Sequence, residues 1–189
     1  MEKKAEYLND IELFEMLAKD KKTAEKAFAE LYSRYSQRIY AYCRKILGDK
    51  EEAKDIFQET FVKFFQSAKE ERTMTNVPAF LLRIARNLCV NTKRKEKSSV
   101  SFEEYMVKAK DTGNEKEELL ELIRCAQELL PDEYKEAFVL REYQGLSYSE
   151  IVDITQTSMS TVKIRIYRAK QKLRELLAPY MEEFSHFDD

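Results

Sequence analysis

Apolar residues recur at three- and four-residue steps along most of this chain, the spacing of α-helices that bury one face. In the first half, the pattern predicts a short helix at Ile11–Ala18 and longer helices over Ala27–Leu47, Glu51–Ser67 and Pro78–Lys93. The second half adds four shorter segments: Lys116–Leu130, Asp132–Tyr143, a helix beginning at Ser147, and Ser158–Arg174. With only three Gly and three Pro in 189 residues, tight turns are rare, and an all-α fold is therefore expected.

A polar and acidic stretch separates the two sets of helices. It contains the breakers Gly113 and Asn114. We expect a flexible linker over 98–116, with a short helical turn at Phe102–Val107, between small helical domains at 1–97 and 117–189. Residues 1–97 carry 21 Lys and Arg against 16 Asp and Glu, whereas the whole chain has a formal net charge of −2. This net acidity predicts weak DNA binding by the free protein.

Several function classes find no support in the composition. No run of about 18 apolar residues and no apolar signal-peptide core are present, which predicts a cytoplasmic protein without membrane insertion. The cysteines Cys43, Cys89 and Cys125 lie far apart among apolar neighbours and are expected to be buried free thiols. The only histidine, His186, lies in an acidic tail. No nucleophile–base pair, phosphate loop or metal-ligand cluster is recognisable, so we expect no enzyme activity and no cofactor.

The segment from Ser147 to Arg174 has the pattern of a helix-turn-helix. Ser147 and Glu150 fit a capping box, Gln156 and Thr157 supply the turn, and the second helix carries six cations and no acid. Its buried stripe is predicted to be Val162, Ile166, Ala169 and Leu173. The residues left facing outward are candidates for DNA contact, with Arg165, Lys170, Lys172 and Arg174 expected to face phosphates: Ser160, Thr161, Lys163, Ile164, Arg165, Tyr167, Arg168 and Lys170. The alternative is a solvated basic helix that binds nothing.

Two further segments have polar faces with functional potential. The helix from Pro78 has an apolar face opposite one rich in Arg, Lys and Asn, groups that can bind nucleic acid or simply be solvated: Arg83, Arg86, Asn87, Asn91, Lys93 and Arg94. The segment DIFQETFVKFF surrounds an aromatic ridge with polar residues that are either ordinary surface or a protein-docking face: Asp55, Gln58, Glu59 and Lys63. The aromatic residues themselves are expected to belong to the core rather than to a ligand pocket.

Taken in order, these segments resemble bacterial RNA polymerase sigma factors of the extracytoplasmic-function (ECF) class, the smallest sigma-70-like proteins. The resemblance covers about Phe28–Lys97 and Glu121–Leu177. The matching segments are ELYSRYSQRIYAYCRKILGDKEEAKDIFQETFVKFF, PAFLLRIARNLCVNTKRK, LPDEYKEAFVLREYQGLSYSEIV and STVKIRIYRAKQKLREL. The resemblance implies a sigma region 2 helical bundle followed by a region 4 helix-turn-helix.

The resemblance also implies partners for each face. The face around Asp55–Lys63 would dock on the clamp of the polymerase largest subunit, and region 4 would meet the flap region. The helix from Pro78, including Phe80, would recognise and melt the minus-ten element, and the loop Glu70–Asn76 would capture a flipped base. The helix-turn-helix would read the minus-thirty-five element as duplex DNA. A cognate anti-sigma factor and a monomeric free state are further implied.

Some positions depart from the family pattern. Phe80 stands where a Trp is usual, and Ser160 and Ile164 replace a Gly and a small polar residue in the recognition helix. Thr and Ile side chains can pack on thymine methyl groups. The alternative function is a helix-turn-helix regulator that binds duplex DNA without being a polymerase subunit. A response-regulator architecture is disfavoured because residues 1–97 lack alternating strands and helices.

Overall fold

A computed structural model describes residues 8–68, 70, 74–95 and 115–181. Within these ranges all regular structure is helical, and the expectation of an all-α fold is confirmed. The chain forms two compact units, with the main division between Lys95 and Glu96. Most of the predicted linker, including the turn at Phe102–Val107, and the tail with His186 lie outside the described residues.

Four helices form the N-terminal unit: α1 (Asp10–Met16), α2 (Lys21–Leu47), α3 (Lys50–Ser67) and α4 (Val77–Lys95). The last three pack on one another, and α1 contacts both α2 and α4. The three longer helices were predicted, although α2 begins six residues before the expected start.

The early start of α2 follows from its cap. Asp20 accepts hydrogen bonds from the backbone N–H groups of Lys22 (3.1 Å) and Thr23 (3.2 Å). A hydrogen bond with the Thr23 side chain first, and these backbone contacts next, lower the pKa of Asp20, because they favour its ionised form. At the other end, Gly48 with φ of 80° donates its N–H to the Arg44 carbonyl and ends the helix.

Aromatic packing ties α1 into this unit. The Phe14 ring lies 5.5 Å from Phe64 and 6.3 Å from Phe80, between ring centroids. On its polar side, α1 is held because Asp10 accepts hydrogen bonds from Arg34 (2.8 Å) and from the Tyr35 hydroxyl. The short first helix is therefore fixed by both apolar and polar contacts.

The C-terminal unit contains α5 (Glu115–Glu128), α6 (Asp132–Phe138), a π-helical turn (Val139–Tyr143), α7 (Tyr148–Thr155) and α8 (Met159–Met181). The prediction of one regular α-helix over Asp132–Tyr143 was therefore wrong in its last five residues. There the backbone widens, so that Gln144 N–H bonds the Val139 carbonyl (3.0 Å), five residues back. Gly145, with φ of 66°, then reverses the chain.

The predicted helix-turn-helix is confirmed. The Ser147 N–H donates to the Glu150 carboxylate (2.8 Å), and the Ser147 hydroxyl accepts from the Glu150 N–H (3.3 Å), forming the capping box. Gln156 adopts φ of 55° at the turn. Ser158 then caps α8 by accepting from the Thr161 N–H (3.1 Å). The predicted stripe of α8 is buried, as are the three free cysteines: Val162, Ile166, Ala169, Leu173, Cys43, Cys89 and Cys125.

Candidate polymerase and nucleic-acid interfaces

One side of α3 presents an exposed polar stripe. The predicted docking residues share this side because they follow at three- and four-residue steps: Asp55, Gln58, Glu59 and Lys63. Glu59 and Lys63 form an ion pair of 3.2 Å along it. Val62, with 54% of its surface exposed, interrupts the polar character of the stripe.

An apolar groove, here called the α2–α3 groove, runs beside this stripe. It has a volume of about 460 Å³ and is lined by residues of both helices: Glu25, Phe28, Tyr32, Phe57, Gln58, Phe61, Val62, Phe65 and Gln66. The expectation that the aromatic ridge belongs to the core holds for the buried Phe61, whereas Phe57 and Phe65 are half-buried and line the groove. Sequence reasoning missed the groove because a third of its lining residues come from α2.

The walls of the groove are held in place by ring contacts. The Phe28 ring meets Phe65 edge-on at 5.6 Å, and the Tyr32 ring lies 4.9 Å from Phe61. Such pairs are favourable beyond the area that they bury. The groove is therefore a preformed concave apolar surface with a polar rim, the shape that accepts an apolar helix face from a partner.

The exposed face of α4 carries the predicted nucleic-acid residues. Arg83, Asn87 and Asn91 are exposed, and Arg86 and Lys93 are half-buried. The side chain of Arg94 lies outside the described residues. The opposite face is buried against the unit, as predicted: Leu81, Ala85, Leu88 and Cys89.

Phe80 joins this face to the core. Its ring is half-buried, 6.2 Å from Phe64 on the inner side, and the Arg83 guanidinium lies over it at 5.2 Å. This stacking is a cation–π contact, which orients Arg83 without neutralising it. The loop predicted to hold a flipped base is described only at Glu70 and at 74–76, where the Asn76 side chain accepts from the Ala79 N–H (3.0 Å) and caps α4.

An uncharged strip, here called the neutral strip and formed by Ser160, Ile164, Tyr167 and Gln171, runs along the outer side of the first half of α8. At 100° per residue, Ser160, Ile164 and Gln171 lie closest to the direction opposite the buried stripe, with Tyr167 and Arg168 about equally far to either side of that direction. Ile164 is 50% exposed and Tyr167 is 61% exposed, and the Gln171 amide donates to the Tyr167 hydroxyl (2.9 Å). Apolar and amide groups at these positions suit contact with base edges.

The cations of α8 flank this strip, and four of them have partners that sequence reasoning missed. Arg165 pairs with Glu133 (2.6 Å) and Lys170 pairs with Glu142 (2.8 Å). These carboxylates belong to α6 and the π-helical turn. Since they neutralise two of the four cations that were predicted to contact phosphates, phosphate contact by Arg165 and Lys170 needs these ion pairs to open on binding.

The other two cations contact tyrosines. Arg168 donates to the Tyr134 hydroxyl (3.0 Å), and the Lys163 ammonium lies 5.8 Å from the centre of the Tyr148 ring. The hydroxyl of Tyr134 also raises the pKa of Arg168, because it accepts a hydrogen bond from the charged form. No sequence signal identifies these partners, since Tyr134 lies 34 residues from Arg168.

Models of known protein families match the sequences of both units. The model described as Sigma-70 region 2 matches residues 31–99, and the model described as Sigma-70, region 4 matches residues 120–173. The first range includes α3 and α4, and the second includes α6, α7 and the basic part of α8. Within the described residues, no helix is both long enough and apolar enough to cross a bilayer.

Curated relatives extend the match across both units. The ECF RNA polymerase sigma factor SigW of Bacillus subtilis is 31% identical over 177 residues, which cover 83% of this chain and 92% of the relative. The ECF RNA polymerase sigma factor SigE of Mycolicibacterium smegmatis is also 31% identical, over 168 residues, 85% of this chain and 65% of the relative. This chain thus spans about two thirds of the length of the second relative.

A solved structure shares the fold. CnrH, in complex with the cytosolic domain of CnrY, has a TM-score of 0.70 at 22% identity, covering 90% of this chain and 98% of that chain. The identity with SigW over nine tenths of that protein, together with the two region models in order, is decisive for the family. The chain belongs to the sigma-70 family of RNA polymerase sigma factors, in its ECF class.

Proposed function

We propose that this chain binds core RNA polymerase, directs it to a specific set of promoters and acts as a detachable subunit without catalysis of its own. The observation that carries the proposal is the match to an ECF sigma factor over 92% of its length. The basic face of α4 and the neutral strip of α8 support the proposal, because they give each of the two units a surface suited to nucleic acid. The buried stripes of these helices determine which face is exposed.

Core polymerase would dock on the N-terminal unit along α3. The polar stripe from Asp55 to Lys63 supplies hydrogen-bonding and charged groups, and the α2–α3 groove supplies concave apolar surface beside it. Val62 and Gln58 lie where the stripe meets the groove. A partner helix with one apolar and one polar face would fill both, which fits docking on the clamp of the largest subunit.

Promoter DNA would be contacted at two places. On α4, Arg83 and the amides of Asn87 and Asn91 would bind the minus-ten element as its strands separate. Arg86, Lys93 and Arg94 belong to the same proposed set. In the free protein the ring of Phe80 lies under the Arg83 guanidinium, so Phe80 would support the contact with the minus-ten element through Arg83. On α8, the neutral strip and its flanking cations would read the minus-thirty-five element in the major groove, and the C-terminal unit would meet the polymerase flap.

A regulatory partner and a compartment complete the proposal. The sigma factor RpoE of Bartonella quintana was solved in complex with the anti-sigma factor NepR, at a TM-score of 0.65 and 22% identity to this chain. We expect a cognate anti-sigma factor for this chain too, binding a monomeric free form in the cytoplasm. The exposed apolar groove fits such regulation, because a docking surface that is open in the free protein can be covered.

Run-off transcription tests the proposal directly. Purified protein is mixed with core polymerase and a library of genomic promoter fragments, and transcripts are sequenced. The expected result is initiation from a defined set of promoters that core polymerase alone does not use. Binding to duplex DNA without any initiation would instead identify a helix-turn-helix regulator and refute the proposal.

A further inference from the structure

Four cations of α8 have partners outside this helix, and they fall into two classes by the chemistry of those partners. Arg165 and Lys170 face carboxylates, whereas Lys163 and Arg168 face tyrosines. We propose that Tyr148 and Tyr134 are positioning residues that hold Lys163 and Arg168 ready for promoter DNA without cancelling their charge. This inference rests on the proposed function, in which the outer side of α8 contacts duplex DNA.

Tyr148 acts through the face of its ring. The Arg141 guanidinium lies over the ring at 4.8 Å and the Lys163 ammonium at 5.8 Å. Arg141 also donates to the Leu146 carbonyl (2.7 Å), which anchors it to the loop before α7. A cation over an aromatic face is attracted by the ring quadrupole and keeps its full charge. The stack therefore holds an exposed lysine at the surface beside α7 with its charge intact.

Tyr134 acts through its hydroxyl group. Its ring packs against an apolar cluster that joins α5 and α8: Ala126, Leu130, Ala169 and Leu173. This packing fixes the position of the hydroxyl, which accepts the hydrogen bond from Arg168 (3.0 Å). The arginine is thereby held at the surface chiefly by a neutral acceptor, with a smaller attraction from the charge of Glu133. A carboxylate at the same place would hold it too, but would oppose its contact with phosphate.

Holding a long cationic side chain before DNA arrives reduces the conformational entropy that binding must remove. Replacement by Phe should therefore have opposite effects on DNA affinity at the two tyrosines. Tyr148→Phe keeps the ring and should retain DNA affinity, whereas Tyr148→Leu should not. Tyr134→Phe keeps the packing but removes the acceptor, so affinity should fall. Tyr143→Phe is the matched control, because the Tyr143 hydroxyl accepts from the neutral Gln127 amide (2.6 Å).

The test begins with a duplex selected from a randomised library by the full-length protein bound to core polymerase. Affinity of the full-length protein for this duplex is then measured by fluorescence anisotropy from 50 to 200 mM KCl. Lys163→Ala and Arg168→Ala should each weaken binding and reduce the slope of log affinity against log salt by about 0.9. If neither does, the proposed contact between α8 and DNA is wrong, and the inference is wrong with it.

If both alanine variants behave as expected, the tyrosine variants decide the inference alone. Tyr148→Leu should weaken binding about two- to five-fold, the range of an exposed cation–π contact, and Tyr134→Phe should weaken it as well, because Arg168 loses the acceptor that holds it. Their salt slope should equal that of the unmodified protein, since no charge has been removed. Unchanged affinity in both variants would overturn the inference. So would an equal loss in Tyr148→Phe and Tyr148→Leu, or an equal loss in Tyr143→Phe.

Discussion

Removing the two carboxylates that pair with α8 should strengthen binding to duplex DNA and make it more sensitive to salt. Glu133 lies 2.6 Å from Arg165, and Glu142 lies 2.8 Å from Lys170. In the variant Glu133→Gln/Glu142→Gln, both cations lose their counter-charge and become available to phosphates. We call Glu133 and Glu142 the charge mask, because they neutralise two of the cations of α8.

The magnitude follows from the exposure of the two cations. Each phosphate contact adds about 0.9 to the slope of log affinity against log salt. The Lys170 side chain is 47% exposed and can make a full contact, whereas Arg165 is 21% exposed and is expected to contribute less. The slope should therefore steepen by between about 0.9 and 1.8. Over a four-fold rise in salt, the variant then loses roughly four- to twelve-fold more affinity than the parent.

The assay uses a 30-base-pair duplex of mixed sequence, because the masked cations would contact phosphates and not bases. Fluorescence anisotropy of the full-length protein between 50 and 200 mM KCl gives both affinity and slope. Circular dichroism should show an unchanged fold, since exposed ion pairs contribute only about 0.2–1 kcal/mol each. The variant Glu15→Gln/Glu51→Gln makes the same charge change in the N-terminal unit and should leave the slope unchanged. A slope equal to that of the parent in the first variant would refute the reasoning.

Three further predictions concern the groove, the α1 contact and the π-helical turn. Val62→Glu places a charge in the α2–α3 groove and should weaken binding to core polymerase at least ten-fold in a competition assay; because Val62 is 54% exposed, urea unfolding should stay within about 0.5 kcal/mol of the parent. Tyr35→Phe removes the hydrogen bond to Asp10 and should lower the free energy of unfolding by about 1 kcal/mol at pH 7. Burial first, and the hydrogen bond to Asp10 next, raise the pKa of Tyr35 to about 12. The stabilisation by this hydroxyl is therefore complete below about pH 10 and is lost as pH rises toward 12. The difference in the free energy of unfolding between the variant and the parent should shrink over the same range. In Gly145→Ala the added Cβ meets no atom within 4 Å. Thermal and urea unfolding should therefore show only the cost of placing an alanine at φ of 66°, about 1 kcal/mol.

Periodicity was sufficient for the helices and for their buried faces. The stripe of α8 follows from residues three and four apart, because that spacing alone determines which side of a helix is apolar. Helix starts were less certain, and α2 shows why: Asp20 caps it seven residues before Ala27, the start expected from the apolar pattern. The π-helical turn was missed because a one-residue expansion barely disturbs the sequence pattern.

Contacts between distant residues could not be read from the chain. Glu133 and Arg165 are 32 residues apart, and nothing in either local pattern identifies the other. The sequence therefore presents six cations and no acid between Ser158 and Arg174, whereas the folded unit pairs Arg165 and Lys170 with carboxylates from outside α8. The α2–α3 groove was missed for the same reason, since Phe28 and Phe65 meet only after the two helices pack.

The charge mask has a consequence for promoter choice under the proposed function. Phosphate contacts carry no sequence information and strengthen binding to any duplex equally. Pairing Arg165 and Lys170 with carboxylates thus reduces binding to bulk DNA, while the neutral strip around Ile164 and Tyr167 stays exposed to bases. Because discrimination depends on the ratio of specific to non-specific affinity, the Glu133→Gln/Glu142→Gln variant should bind mixed-sequence DNA more tightly and yet distinguish its own promoter less well. Tight binding can come instead from the second DNA contact on α4, once polymerase holds both units on one template and the two weak contacts act together.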